Sequence, residues 1–208
     1  MTDAPQLTEQ QVAALRLLSA RGMVEEEMLQ ELLGKRELFR DSEVGLCLAS
    51  LGAAGAAESM MPGFWCVTEE GKKLLRRHLR SRRADVLPHL RGDTWAGFEK
   101  LDMELKAVCV MWQVKQDGSA NDHDDTGYDF SILEKLGGVH ARLHQLIDKA
   151  DGLKKELTDL LLEMDGALGK VNEGGFEFFT GFTVNSYHNL WFELHEDLLC
   201  TLGLERKE

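Results

Sequence analysis

Met60-Met61-Pro62-Gly63-Phe64-Trp65-Cys66-Val67-Thr68-Glu69-Glu70-Gly71-Lys72-Lys73-Leu74-Leu75 is the stretch on which the fold turns. Pro62-Gly63 is a turn dipeptide between two apolar runs, the mark of a β-hairpin. Thr68 is a helix-capping residue, and Glu69 and Glu70 suit the positive end of a helix dipole. The spacing therefore predicts one short hairpin over about residues 58–67, followed by a helix. Upstream, Thr8 caps a first helix on which Val12, Leu15 and Leu18 share a face, and Gly22 stops it. Met23 to Leu33 reads as a second helix, with Val24, Met28, Leu29, Leu32 and Leu33 as its apolar positions. Ser42 caps a third from Glu43 to Ala54, built on Val44, Leu46, Leu48 and Leu51.

Helix, helix, helix, hairpin, helix is the order of a winged helix-turn-helix. The phrase Val67-Thr68-Glu69-Glu70-Gly71-Lys72-Lys73-Leu74-Leu75 resembles the strand-to-helix exit of MarR- and PadR-like winged-helix proteins. That resemblance covers about a third of the chain and implies DNA binding. The residues speak against it. Base readout needs Arg, Lys, Asn or Gln on the inserted helix, and phosphate contacts need cations. Between Asp41 and Glu58 there is none of the four. A cationic run does follow, at Lys72, Lys73, Arg76, Arg77, Arg80, Arg82 and Arg83. Positions 72, 76 and 80 share one helical face, with 73 and 77 beside it. Lys72, Lys73, Arg76, Arg77 and Arg80 are the candidates for contact with a partner or with phosphate; a solvated helix face is the plain alternative.

Charge divides unevenly. Residues 1–92 hold 13 basic and 13 acidic side chains, while residues 93–208 hold 11 and 23. The second part thus carries all of the net charge of −12. Such acidity disfavours duplex DNA and membrane surfaces. There is no apolar run of membrane-spanning length and no signal peptide, so a cytoplasmic location is expected. Cys47, Cys66, Cys109 and Cys200 are far apart in apolar contexts and read as buried free thiols.

A boundary near Pro88 predicts two domains, 1–88 as the winged helix with its basic exit helix and 89–208 as an acidic helical bundle. Asp93-Thr94 caps a long helix with Trp95, Phe98, Leu101, Leu105, Val108 and Trp112 on one face. Residues 116–129 form a polar loop. A helix from about Phe130 to Lys149 follows, then one from Leu153 to Val171. Ser186 caps the last, which Gly203 stops. The expected fold is mainly α: a winged helix-turn-helix followed by an antiparallel four-helix bundle.

Three constellations stand out. His140 and His144 lie four apart, hence on one helix face, as metal ligands do. No third ligand follows on that helix and the HExxH glutamate is missing, so they also read as ordinary core or surface histidines. Asp122, Asp124, Thr126 and Gly127 match the opening of an EF-hand, but Leu133 stands where calcium needs a bidentate Glu; the segment reads as a helix-capping loop or a polar site at the bundle mouth. Finally, Tyr187, His188, Trp191 and His195 crowd the last helix. In an antiparallel bundle they would meet Trp112, with Asp122 or Asp125 near the mouth, in a pocket for an apolar ligand. The competing reading is a dry core.

The segments Met111-Trp112-Gln113-Val114, Asn121-Asp122-His123-Asp124-Asp125 and Ser186-Tyr187-His188-Asn189-Leu190-Trp191-Phe192-Glu193-Leu194-His195-Glu196-Asp197-Leu198 resemble small bacterial proteins associated with phosphoenolpyruvate-synthase-like and pyruvate-phosphate-dikinase-like enzymes. The resemblance covers residues 93–206. It implies a non-catalytic accessory or regulatory subunit of such a phosphotransferase, with the winged helix used for protein contacts. No ATP-binding glycine-rich loop and no phosphohistidine segment are present, so no catalytic residue, no catalytic activity alone and no cofactor are expected. The alternative is a ligand-responsive winged-helix transcription regulator with a helical sensor and dimerisation domain. The expected partner is a phosphotransferase subunit or a second copy of the chain; DNA is disfavoured.

Overall fold

A computed structural model describes residues 7–34, 39–40, 43–150 and 152–205. The protein is mainly helical, with one small antiparallel sheet. It divides into two compact units. The first takes the chain up to Ala84 together with the segment from Gly181 onward; the second is Asp85–Thr180.

The first unit begins with α1 (Glu9–Arg21). Thr8 caps it in a full capping box: its hydroxyl accepts from the Gln11 amide, and the Gln11 side chain accepts from the Thr8 amide. Gly22 ends the helix at φ 76°. Then come β1 (Val24–Glu25), α2 (Glu26–Gly34), α3 (Glu43–Ala53), β2 (Ala57–Met61), β3 (Phe64–Val67) and α4 (Glu69–Arg82), capped by Thr68. The predicted cap of α3, Ser42, lies outside the described residues.

The expected single hairpin is corrected by a third strand. The sheet order is β1-β3-β2, with Val24 opposite Trp65 and Glu25 opposite Phe64. Met23 and Val24 fit the apolar pattern of a helix start, but the Gly22 turn leaves the chain extended beside β3. Two bonds hold it there. The Glu26 amide donates to Gly63 O at 2.7 Å, and Trp65 Nε1 donates to Glu26 Oε2 at 3.0 Å. A strand of two residues has no periodicity of its own, so only pairing reveals it.

The last helix, α10 (Tyr187–Leu202), capped by Ser186 and stopped by Gly203 at φ 74°, overturns the bundle arrangement. It packs on α1 and α4 of the first unit rather than closing a four-helix bundle. Cys200 joins the apolar core made by Leu15, Leu18, Leu29, Leu48, Leu51 and Leu75. The boundary expected at Pro88 accordingly falls just before Asp85, and 181–208 returns to the first unit.

Asp197 on α10 is bound on both sides. Arg16 Nε of α1 lies 2.5 Å from Asp197 Oδ1, and Arg83, the C-cap of α4, donates to Oδ2. Arg83 Nη1 also donates to Thr201 Oγ1 at 2.9 Å. Arg83 and Asp197 are 0% and 1% exposed. Arg83, expected in a solvated basic face, is therefore buried. Burial alone would push the Asp197 carboxyl up; the two guanidiniums outweigh it and hold it below the usual carboxylate range.

The second unit contains α5 (Leu87–Leu90), α6 (Asp93–Gln113), α7 (Thr126–Asp148), α8 (Leu153–Asn172) and α9 (Glu177–Thr180). α6 packs on α7, α7 on α8, and α8 on α9. Phe98, Leu101, Leu105, Val108 and Trp112 are buried as expected on α6, and Leu136, Val139, Leu143 and Ile147 on α7. Gly97 lets the two helices approach, since a Cβ there would sit 2.8 Å from Leu146 Cδ1. α7 starts four residues before the expected Phe130 because the Asp125 side chain accepts from the Tyr128 amide and caps it. No helix among the described residues is long and apolar enough to cross a membrane.

Candidate functional site

The polar loop between α6 and α7 builds the most organised polar cluster of the second unit. Val114 and Ala120 form a β-bridge that closes the loop, and Lys115 N–H donates to Ser119 O. Asn121 then turns inward. Its Nδ2 donates to Trp112 O at 3.1 Å and to Asp129 Oδ1 at 2.8 Å. His123 Nδ1 lies 2.9 Å from Asp129 Oδ2. Asp129 is 4% exposed, so it enters the helix core only because these partners satisfy both its oxygens.

The backbone reaches this geometry at a cost. His123 has φ 61°, the left-handed region, and is the sole non-glycine residue there among those described. Its ring lies against Trp112, centroids 4.4 Å apart, and Phe176 sits 6.2 Å away. Phe176 and Phe179 each lie 5.2 Å from Trp112. With Nδ1–H donating to the carboxylate, the Nε2 lone pair is the imidazole atom left for an outside group. Such an Asp–His pair can hold a hydroxyl through the second ring nitrogen. Replacing Asp129 with Ala strips the acceptor from the buried Asn121 Nδ2 and the half-buried His123 Nδ1. We expect a loss of about 1–3 kcal/mol in urea unfolding; an unchanged midpoint would show that the cluster is ornamental.

Of the predicted pocket residues, Trp112 belongs to this cluster. Asp122 does not; it is exposed and accepts from Lys115 Nζ at 2.6 Å, which holds its carboxyl below the usual range. Asp125 is spent as the cap of α7. Tyr187, His188, Trp191 and His195 lie in the first unit on α10, whereas Trp112 lies in the second on α6. Tyr187 stacks on Trp191 with centroids 6.3 Å apart, and the His188 ring meets Phe192 edge-on. Tyr187, Trp191 and His195 are buried.

His140 and His144 are brought together with a residue that sequence spacing did not supply. Asp165 of α8 places Oδ1 3.1 Å from His140 Nε2 and 2.9 Å from His144 Nε2. The two rings are 4.6 Å apart. Burial first, then His144, hold the His140 imidazole below its usual value, against the pull of Asp165.

The basic run of α4 is largely engaged within its own unit. Lys72 pairs with Glu69, Arg76 with Glu205, Arg77 with Glu70, and Arg82 with Glu9. Arg80 lies against Gly203, whose added Cβ would come 2.6 Å from its Nη1. Lys73 is exposed. On α3, Val44, Cys47, Leu48 and Leu51 face the core, while Leu46, Ala49, Ser50 and Ala53 are exposed. The thiols are unpaired, and burial pushes Cys47 up to about 11 and Cys109 and Cys200 up to about 12, far from a reactive thiolate.

The signal for the missed residues was present. Asp129 stands on the buried stripe of Ile132, Leu136, Val139 and Leu143, and Asp197 on that of Leu190, Leu194 and Leu198. An acid on an apolar stripe asks for a partner. Comparison with known proteins finds no matching family, no matching curated protein and no matching solved structure.

Proposed function

We propose that the protein is a non-catalytic accessory subunit whose first unit is a winged helix used for protein contacts. The succession α1, β1, α2, α3, β2, β3, α4 supports the winged-helix reading. The observation that carries the function is the surface of α3. In a DNA-binding winged helix that face would bring cations or amides to the groove. Here it brings Leu46, 71% exposed, with Ala49, Ser50 and Ala53. Lys72, Arg76, Arg77 and Arg82 of α4 are already paired with carboxylates, so neutralising phosphates with them would first cost those pairs. Met60 and Met61 on the hairpin are likewise exposed, as suits an adaptable protein surface. The resemblance of residues 93–206 points to a phosphoenolpyruvate-synthase-like enzyme as the partner.

Co-expression with such an enzyme from the same genome, followed by size-exclusion chromatography, tests the reading. A co-eluting complex is expected, and Leu46→Glu should dissociate it while leaving the circular dichroism of the free chain unchanged. No complex, together with sequence-specific duplex binding at physiological salt that Leu46→Glu abolishes, would establish the transcription regulator instead.

A further inference from the structure

We propose that His140, His144 and Asp165 form a binding site for a divalent metal of the zinc class, clamping α7 to α8. Among the described residues this is the one group of three such side chains whose ligand atoms all lie within 4.8 Å of one another. The chemistry of the donors is specific. Two imidazole nitrogens and one carboxylate oxygen make a mixed nitrogen and oxygen set that suits zinc, cobalt or nickel better than calcium or magnesium.

Two of the three donor separations already match a bound metal. Zinc holds nitrogen at ~2.0–2.1 Å and carboxylate oxygen at ~2.0–2.2 Å. Neighbouring donors around such an ion therefore stand roughly 2.9–3.4 Å apart, whether the shell is octahedral or tetrahedral. The two nitrogen-to-oxygen separations here are 3.1 and 2.9 Å. Both imidazoles turn Nε2, not Nδ1, toward one oxygen of one carboxylate. The i, i+4 spacing on α7 gives the imidazoles a common face, and α8 supplies the charge that a neutral pair lacks. For a neutral imidazole the metal takes the Nε2 lone pair with the proton carried on Nδ1, so the ring binds without changing its charge.

Access is open. The side chains are 15%, 29% and 44% exposed for His140, His144 and Asp165, so an ion reaches the site from water without opening the unit. Three protein donors leave at least one coordination position to water, the arrangement of a site that can also accept a donor from a ligand. The function proposed above does not use this site, and either can fail without the other.

Titration of the full chain with Zn(II) by calorimetry, and with Co(II) by visible absorption, tests the site. The native chain should bind one equivalent, with cobalt giving d–d bands but no sulfur charge-transfer band. His140→Ala/His144→Ala should remove that equivalent. Asp165→Asn, which keeps the shape and loses the charge, should weaken it by at least about tenfold, the loss known even for the outer partners of metal ligands. Circular dichroism without metal should be the same for all three proteins. A native chain that binds neither ion overturns the proposal. So does an equivalent that survives in the double variant, or one whose cobalt spectrum shows thiolate, which would place the ion at a cysteine.

Discussion

Replacing Asp197 with Asn is expected to lower the unfolding free energy by about 3–5 kcal/mol, because it leaves Arg83 charged and buried without its counter-charge. The substitution is nearly isosteric, so no cavity confuses the reading. Arg83 keeps its bond to Thr201 Oγ1, but Arg16 and Arg83 lose the carboxylate that joins α1 and α4 to α10. Replacing the pair together, Arg83→Met with Asp197→Leu, should recover much of the loss, since two apolar side chains need no mutual charge. Urea unfolding followed by tryptophan fluorescence measures both. A single-variant loss below about 1 kcal/mol would equate the pair with an exposed one and remove it as the tie.

Acid should act on the same tie, with a definite sign. The folded Asp197 pKa lies below its unfolded value, so between the two values the unfolded chain binds more protons. Stability from this group is therefore complete above the unfolded carboxylate value of about 3.9 and is lost as pH falls through the folded value. The Asp197→Asn protein should lack this part of the acid dependence.

Gly71→Ala is the second large effect, expected at about 3 kcal/mol or more, the upper end for overpacking. A Cβ at Gly71 would sit 1.9 Å from Ala56 O and 2.8 Å from Ala56 C. Those are backbone atoms, and they cannot step aside. Ala56 O also accepts from the Thr68 amide at 3.1 Å, and Thr68 Oγ1 donates to Gly55 O at 2.6 Å. The first turn of α4 is thus pressed against the chain just before β2, and an added methyl must push them apart. Gly166→Ala is the matched control. Gly166 is an exposed position within α8 with nothing near its Cβ direction, so Ala there should raise stability by about 0.5–1 kcal/mol. A neutral result at Gly71 would mean that α4 shifts freely, and that the close approach is not a constraint on the fold.

The short-range chemistry of the chain determined its longer helices and the β2–β3 hairpin, though not the two-residue β1. Thr8, Thr68 and Ser186 cap helices because a hydroxyl one residue before a helix meets orphan amides, and that rule needs no distant partner. Gly22, Gly63 and Gly203 have positive φ where turns and helix ends demand it. Apolar spacing likewise marked the faces of α6, α7 and α8 that are buried. None of these signals says which face meets which. The stripe of α10 fits a bundle as well as it fits α1 and α4, and periodicity carries no address for its partner. Tertiary structure alone decided that Arg83 is buried rather than solvated, because its acid stands 114 residues away. It also decided that Asp165 joins His140 and His144, because the third donor comes from another helix. The reason is common to all three: a cap is satisfied within one turn, whereas a buried charge or a shared donor is satisfied only by residues that the fold brings together.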